Sequence, residues 1–159
     1  MFQPKFRHFR KINRQGFRTT YENKSCGLSF GTCGIQAIEH GCLTAQQIEA
    51  VRRTLSSRLK RKGKIWIRAY PDSTHTSKPK EVRIGRGKGN VDFWFCNVKA
   101  GRILFEVAIN KKYASLLRPA FQYAIEKLPI KAQVILRLYN DLFRLLLIQL
   151  LILLIFLIN

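Results

Sequence analysis

Acidic residues are scarce in this sequence. Nine Asp and Glu stand against 29 Lys and Arg in 159 residues, which gives a formal net charge of +20. The acids are scattered singly, so the sequence offers no carboxylate pair for acid–base catalysis and no carboxylate cluster for a metal ion. A positive surplus of this size repels itself unless a polyanion neutralises it. The composition therefore argues against an ordinary small-molecule enzyme and predicts a nucleic acid or an anionic membrane surface as the partner.

Other chemical signatures are missing as well. The four cysteines include no C-x-x-C pair and have no histidine at zinc-finger spacing, and the three histidines lie far apart in the sequence. Nothing matches the nucleophile elbow, the zinc-protease motif or the dinucleotide-binding fingerprint. Nothing in the first residues reads as a signal-peptide core. We therefore predict a protein that is not an enzyme and that needs no cofactor and no metal.

The chain nevertheless has the means to fold. Apolar residues make up 47% of it and aromatic residues 11%, which is too much for a disordered basic tail. The charge is concentrated in residues 1–90, which carry a net +15, whereas residues 91–159 carry a net +5. The N-terminal half is thus the predicted electrostatic footprint for a polyanion.

The first 24 residues alternate cations with aromatic residues and sustain no helical or strand period. They are predicted to form an irregular arm that orders against RNA, where phosphates bind the cations and bases contact the rings. The alternative is a solvated, flexible tail. The arm cations expected to bind RNA are Lys5, Arg7, Arg10, Lys11, Arg14 and Arg18.

The clearest predicted helix begins at Thr44 and is expected to stop at Gly63. Thr44 and Gln47 fit a capping box, and an apolar stripe follows at helical spacing. Cations lie opposite the stripe and crowd the end of the helix, where they either bind phosphate or simply favour the negative end of the helix dipole. A strand over residues 65–70 should follow. The cations of this helix and strand expected to bind RNA are Arg53, Lys60, Arg61, Lys62, Lys64 and Arg68.

Further elements follow in the second half of the chain. Residues 91–98 and 103–107 are predicted strands on either side of an Ala100-Gly101 turn, and residues 130–136 a final strand. A second helix is predicted near residues 112–127, where Pro119 either kinks the helix or lies in its first turn. Residues 71–90 have little apolar content and alternate cations with glycines near their end, which favours an extended finger that reaches into polyanion. A mobile hairpin tip explains the same pattern.

The end of the chain is strongly apolar. Residues 145–158 are interrupted only by Gln149. As a helix this run would be about 21 Å long, short of the roughly 30 Å hydrocarbon core of a membrane. We therefore predict an appended helix buried against neighbouring subunits, and a membrane is not the expected partner. The alternative is a polybasic RNA-binding protein that residues 138–158 anchor to a membrane.

Seven short segments occur in the order and spacing of a known family. They are Gln3-Pro4-Lys5 with Phe9-Arg10-Lys11, Ser29-Phe30-Gly31, Leu43-Thr44-Ala45 with Gln47-Ile48-Glu49-Ala50, Gly63-Lys64-Ile65-Trp66-Ile67-Arg68, Lys78-Pro79, Arg83 with Gly85 and Gly87-Lys88-Gly89-Asn90, and Lys127-Leu128-Pro129-Ile130-Lys131. With these segments the chain resembles the universal large-subunit ribosomal protein family called sixteen in bacteria. The resemblance covers residues 1–136, and residues 137–159 have no family counterpart. Pro119 interrupts the family's second helix.

The resemblance implies an α+β fold with a small mixed, barrel-like β-sheet and two α-helices. It also implies three parts: an rRNA-binding arm at 1–24, an α+β domain at 25–136 and an apolar C-terminal extension at 137–159. The implied function is that of a structural constituent of the large ribosomal subunit. The implied partners are large-subunit rRNA, tRNA near the peptidyl-transferase centre, and neighbouring ribosomal proteins, which we expect to contact the extension.

The family's glycine-rich loop extends toward tRNA, and its counterpart here departs from the usual pattern at Ile84 and Arg86. The tRNA-proximal residues that the resemblance implies are Lys78, Lys80, Arg83, Gly85, Arg86, Gly87, Lys88 and Gly89. Met1 coincides with the family's first residue, which fits a bacterial gene or one translated inside an organelle. The frequent Phe and Ile residues and the apolar end of the chain favour a mitochondrial ribosome in the mitochondrial matrix, with a bacterial cytoplasm or a plastid as the alternatives.

Overall fold

The computed structural model describes residues 4, 11–12, 20–83, 85 and 87–137. This part of the chain is α+β, as predicted, with two α-helices and a short 3-10 helix at Lys111–Leu116. The helices are α1 (Ala45–Arg58) and α2 (Leu117–Ile125). The strands are β1 (Cys33–Ala37), β2 (Gly41–Thr44), β3 (Lys64–Ile67), β4 (Ser73–Ser77), β5 (Asn90–Val98), β6 (Ile103–Ala108) and β7 (Ala132–Leu136).

The strands form two separate sheets. One sheet has the order β3-β6-β1-β7 and the other the order β2-β5-β4. All pairings among the described strands are antiparallel. The single mixed, barrel-like sheet that the resemblance implied is therefore wrong. The chain changes sheet four times, between β1 and β2, between β2 and β3 through α1, between β3 and β4, and between β5 and β6. A closed barrel requires its first and last strands to pair, and the outer strands of these two sheets do not pair with each other.

Helix α1 begins as predicted. The Thr44 hydroxyl accepts a hydrogen bond from the Gln47 backbone N–H at 3.3 Å, and the Gln47 side-chain oxygen accepts one from the Thr44 backbone N–H at 2.9 Å. This reciprocal pair satisfies two backbone donors that a helix start leaves without partners. The predicted apolar stripe is buried in the core that α1 shares with both sheets and α2, and it consists of Ile48, Val51, Leu55 and Leu59.

Helix α2 resolves the choice that Pro119 left open. It begins at Leu117, so the proline is its third residue, and the preceding segment is a 3-10 helix. Proline is tolerated there because the N–H groups of a first helical turn have no partner within the helix. Leu117, Phe121 and Ala124 of the predicted stripe are buried, and Leu128 packs at the edge of the core.

Strand β4 was not predicted, because its sequence Ser-Thr-His-Thr-Ser lacks the apolar alternation that signals a strand. It forms because it pairs with the long strand β5, from Ser73 opposite Phe95 to Ser77 opposite Asn90. Residues 78–89 thereby become the connection of a β4–β5 hairpin. The segment for which the sequence left a finger and a hairpin tip as alternatives therefore contains this connection.

The described residues contain no helix that is long and apolar enough to cross a membrane. The predicted apolar helix at 145–158 lies outside the described residues. The same holds for five arm cations and one loop cation of the predicted RNA-binding set, which are Lys5, Arg7, Arg10, Arg14, Arg18 and Arg86.

Candidate RNA interface

The turn after α1 presents two consecutive cations from an unusual backbone. The helix ends at Arg58, before the predicted stop at Gly63, because Lys60 and Arg61 adopt left-handed φ angles of 50° and 59°. The Arg61 N–H donates to the Ser56 carbonyl and the Lys60 N–H to the Ser57 carbonyl, both at 3.0 Å. This hydrogen-bond pattern closes a helix with a left-handed residue, a position that glycine usually fills. Both side chains are exposed to solvent.

A shallow depression of about 520 Å³ runs along the last turns of α1, and its lining contains only cations and hydroxyls. The residues that line it are Arg52, Arg53, Ser56, Ser57, Lys60 and Arg61. Such a surface suits the oxygen atoms of a phosphate backbone, because it offers charge and hydrogen-bond donors without an apolar wall.

One acid lies among these cations. Glu49 accepts two hydrogen bonds from Arg52, at 2.7 and 2.8 Å, and one from Arg53 at 2.9 Å. The Arg52 and Arg53 hydrogen bonds lower the Glu49 pKa to about 2, so the carboxylate stays charged at neutral pH. Arg53, predicted to bind RNA, keeps 76% of its side chain exposed. Arg52 is a neighbouring cation that was not predicted from the sequence, although its spacing of three residues from Glu49 is typical of helix pairs.

Arg68 has a different place from the other predicted cations. Its Nη1 donates to Glu106 Oε1 at 2.6 Å and to the Gly27 carbonyl at 2.7 Å, and its side chain is 17% exposed. Burial of the Glu106 carboxylate acts to raise its pKa. The backbone N–H groups of Gly31, Phe30 and Ser29, together with Arg68, outweigh that effect, and the Glu106 pKa lies below its usual value. The pair of Arg68 and Glu106 thus holds the segment at residues 27–31 against β6, and a contact of Arg68 with RNA stays a prediction.

The β4–β5 connection is joined to the N-terminal arm. Lys11 Nζ donates to the Lys88 carbonyl at 3.2 Å, and Lys88 Nζ donates to the Ile12 carbonyl. Within the connection, Lys78 Nζ donates to the Gly85 carbonyl at 2.6 Å. The structure therefore places residues 11 and 12 of the predicted RNA-binding arm against the glycine-rich loop, although Lys11 and Lys88 lie 77 residues apart in sequence.

The two described glycines in the middle of the connection, Gly85 and Gly87, have φ angles of 122° and 87°. Among the described residues, no atom lies within 4 Å of the point where a side chain would begin at either glycine. A backbone without side chains in open space lets another molecule approach closely. The predicted cations Lys80 and Arg83 are exposed on the same connection.

The family model described as ribosomal protein L16p/L10e matches residues 4–135. The chain belongs to this family. Its relatives include the large ribosomal subunit protein uL16 of Acinetobacter baumannii strain AYE, which is 48% identical over 138 residues, 86% of this chain and 98% of that protein. The large ribosomal subunit protein uL16 of Acinetobacter baylyi is 47% identical over the same length. The resemblance seen in the sequence is thereby confirmed.

As a member of the L16p/L10e family, the chain is a structural component of the large ribosomal subunit and not an enzyme. The family assignment implies that it binds rRNA and ribosomal proteins. The described residues contain no group of three or more His, Cys, Asp or Glu that could hold a metal ion. Two aromatic residues were missed as candidates, Phe30, which stacks on Trp66, and Tyr113, whose ring lies beside Lys62, because each is far in sequence from the residue that it contacts.

Proposed function

We propose that this chain binds large-subunit rRNA through three basic surfaces and lines the region where tRNA is accommodated near the peptidyl-transferase centre. The surfaces are the arm, the end of α1 and the β4–β5 connection. The observation that carries the proposal is the turn after α1. Two consecutive cations occupy a left-handed backbone there, at a position where glycine would fit with less strain. A fold that keeps charge at a strained position is expected to use that charge.

The end of α1 is tested by the salt dependence of RNA binding. We expect Arg53, Lys60 and Arg61 changed together to Gln to make the slope of log affinity against log salt shallower, by about 0.7 to 0.9 for each phosphate that the variant no longer neutralises. The matched control changes three exposed cations near α2, Lys112, Arg118 and Lys127, to Gln and removes the same charge. An equal slope change in both triple variants would show that only net charge matters, and an unchanged slope would remove α1 from the RNA surface.

The tRNA-proximal role of the β4–β5 connection rests on its glycines and exposed cations. A photo-reactive residue at Val82, which is 56% exposed, should cross-link to tRNA in assembled ribosomes when aminoacyl-tRNA is supplied. The same probe at the exposed Glu126 beside α2 is the control and should not. Cross-links from Val82 to rRNA alone would restrict the connection to the rRNA surface.

We also propose that the chain has three parts, the arm at 1–24, the domain at 25–136 and the extension at 137–159. The extension is proposed to contact neighbouring ribosomal proteins. The strand that leads into it, β7, is the outer strand of its sheet and exposes Val134 and Leu136. Such an apolar edge favours a protein neighbour over bare RNA. Deletion of residues 138–159 should preserve co-sedimentation with large subunits and abolish cross-links to one neighbouring protein. Release of the full-length chain from membranes by detergent alone, and not by high salt with RNase, would favour the membrane-anchored alternative.

The compartment that we propose is the mitochondrial matrix. The frequent Phe and Ile residues and the apolar C-terminal run support this source, whereas the relatives named above are bacterial. An antibody against the chain should detect it in the large-subunit fraction of purified mitochondria. Detection in bacterial or plastid ribosomes instead would correct the compartment and leave the RNA-binding proposal intact.

A further inference from the structure

Aromatic and cationic side chains lie next to one another along and beside the outer strand β3. Lys62 Nζ lies 3.9 Å from the centroid of the Tyr113 ring, and Lys64 Nζ lies 5.2 Å from the Trp66 ring. Trp66 in turn stacks on Phe30, with 6.0 Å between the ring centroids and 20° between the ring planes. These five residues, Tyr113, Lys62, Lys64, Trp66 and Phe30, are called the aromatic–cation strip.

A buried carboxylate fixes the backbone at the Phe30 end of the strip. Glu106 is fully buried and accepts the backbone N–H groups of Ser29, Phe30 and Gly31 at 2.7 to 3.3 Å. The Phe30 side chain nevertheless stays 61% exposed. Three consecutive backbone N–H groups, the middle one that of Phe30, are thus held by one buried carboxylate, while the Phe30 ring remains largely in water. An exposed aromatic residue that is fixed rather than mobile suits a stacking partner, because little conformational entropy is lost on binding.

At the other end lies a depression of about 510 Å³. Its lining consists of Lys62, Gly63, Lys64, Ala108, Ile109, Asn110 and Tyr113. Gly63 lies between the two lysines with a φ angle of 105°. A side chain at that position would begin 2.6 Å from the Ala108 carbonyl oxygen, so only glycine fits. The depression therefore has two ammonium groups and an aromatic ring at its margin, and no side chain projects from the backbone between the two lysines.

We infer that the aromatic–cation strip binds unpaired nucleotides of RNA, with bases stacked on Phe30 and Tyr113 and phosphates at Lys62 and Lys64. The inference rests on the RNA binding proposed above and names the form of RNA. Cations alone would serve a duplex, whose bases already stack on each other and leave no face for a ring. Aromatic rings beside cations are the arrangement of single-strand binding surfaces.

The test compares two synthetic probes with the full-length chain. One probe is an oligoadenylate, and the other is an abasic oligomer with the same number of phosphates. We expect Phe30→Leu to weaken oligoadenylate binding by about five- to 150-fold, which corresponds to the loss of one base stacked on an aromatic ring. Binding of the abasic oligomer should be unchanged, because Leu removes the ring and no charge.

Further variants separate stacking from charge and from folding. Tyr113→Leu should have the same selective effect as Phe30→Leu, and Tyr113→Phe should restore binding because it keeps the ring. Lys62→Gln should weaken both probes equally. The matched control is Tyr123→Leu, because the Tyr123 ring is 42% exposed and lies 3.9 Å from the Arg58 guanidinium, a cation–aromatic pair outside the strip. It should change neither affinity.

Equal binding of both probes by wild type, Phe30→Leu and Tyr113→Leu would overturn the strip as a base-stacking site. The salt-dependent binding of RNA would survive that result, so the proposed function would stand. Loss of selectivity in Tyr123→Leu as well would also overturn the inference, since it would show that any surface aromatic residue contributes. A wild-type chain that binds neither probe nor large-subunit rRNA would overturn both proposals.

Discussion

Two acid–arginine clusters in this chain use the same chemistry and differ in burial. Glu106 and Arg68 meet at 2.6 Å with the carboxylate fully buried and the arginine side chain 17% exposed. Glu49 meets Arg52 at 2.7 Å and Arg53 at 2.9 Å, and the exposed fractions of these arginine side chains are 40% and 76%. The buried cluster fixes the backbone at residues 29–31, whereas the exposed one lies within the cationic surface of α1. Burial, and not the pairing itself, determines whether such a cluster acts on the fold or on the binding surface.

The largest expected effect follows from breaking the buried cluster. Glu106→Gln leaves the Arg68 guanidinium without its carboxylate, and the new amide N–H₂ group faces backbone donors. Removing one partner of a buried ion pair costs about 3–5 kcal/mol, so the free energy of unfolding should fall by that amount and Tm by about 10 °C. Urea unfolding and thermal melts of the free protein measure both quantities.

The control is the same substitution in the exposed cluster. Glu49→Gln should change the free energy of unfolding by less than about 1 kcal/mol, because exposed ion pairs contribute little. Similar losses in the two variants would mean that burial does not separate the clusters, and the comparison would fail.

The two clusters should also differ in how the free energy of unfolding depends on pH at low and at high salt. Both acids have a pKa in the folded chain below the usual 4.5, and Glu49 has a pKa of about 2. A lowered folded pKa contributes stability that is fully present above the unfolded pKa and is lost as pH falls through the folded pKa. The free energy of unfolding should therefore begin to fall below about pH 4.5, with a shallower fall in Glu106→Gln.

High salt is the second arm of this titration. Salt screens exposed charges far more than buried ones. The loss of unfolding free energy at low pH that is due to Glu49 is the difference between wild type and Glu49→Gln, and it should become smaller at high ionic strength. The corresponding difference for Glu106→Gln should stay the same. An equal decrease in both differences would contradict the assignment of Glu106 to the buried cluster.

Glu49 of the exposed cluster is expected to weaken RNA binding. Glu49→Gln frees the two arginine side chains and removes a negative charge from the α1 surface. We expect tighter rRNA binding, with a salt slope that is steeper by about 0.7 to 0.9 for one additional neutralised phosphate. The matched control is Glu39→Gln, because Glu39 is another exposed acid, paired with Lys131 at 2.9 Å away from α1. An equal gain in the control would point to net charge alone.

The sequence could predict what depends on near neighbours. The capping box at Thr44 and the buried stripe of α1 were correct because a helix brings together residues three and four positions apart. The role of Arg68 could not be predicted, because its carboxylate is 38 residues away and the pair meets only when β3 and β6 align. Strand β4 was missed for a similar reason, since it depends on β5 rather than on its own residues. Two sheets instead of one barrel follow from strand pairing that no local pattern encodes.

The smallest expected effect concerns the strained turn beside the exposed cluster. Lys60→Gly relieves a left-handed residue with a side chain, and part of the gain is lost because glycine adds freedom to the unfolded chain. The free energy of unfolding should rise by about 0.5–1 kcal/mol while the salt slope of RNA binding becomes shallower by about 0.7 to 0.9. The matched control is Lys62→Gly, which removes the same charge where no positive φ requires glycine and should lower stability. If the turn serves RNA binding, Lys60→Gly must raise the free energy of unfolding and make the salt slope of RNA binding shallower. If the turn is purely structural, the variant would gain stability and the salt slope would not change.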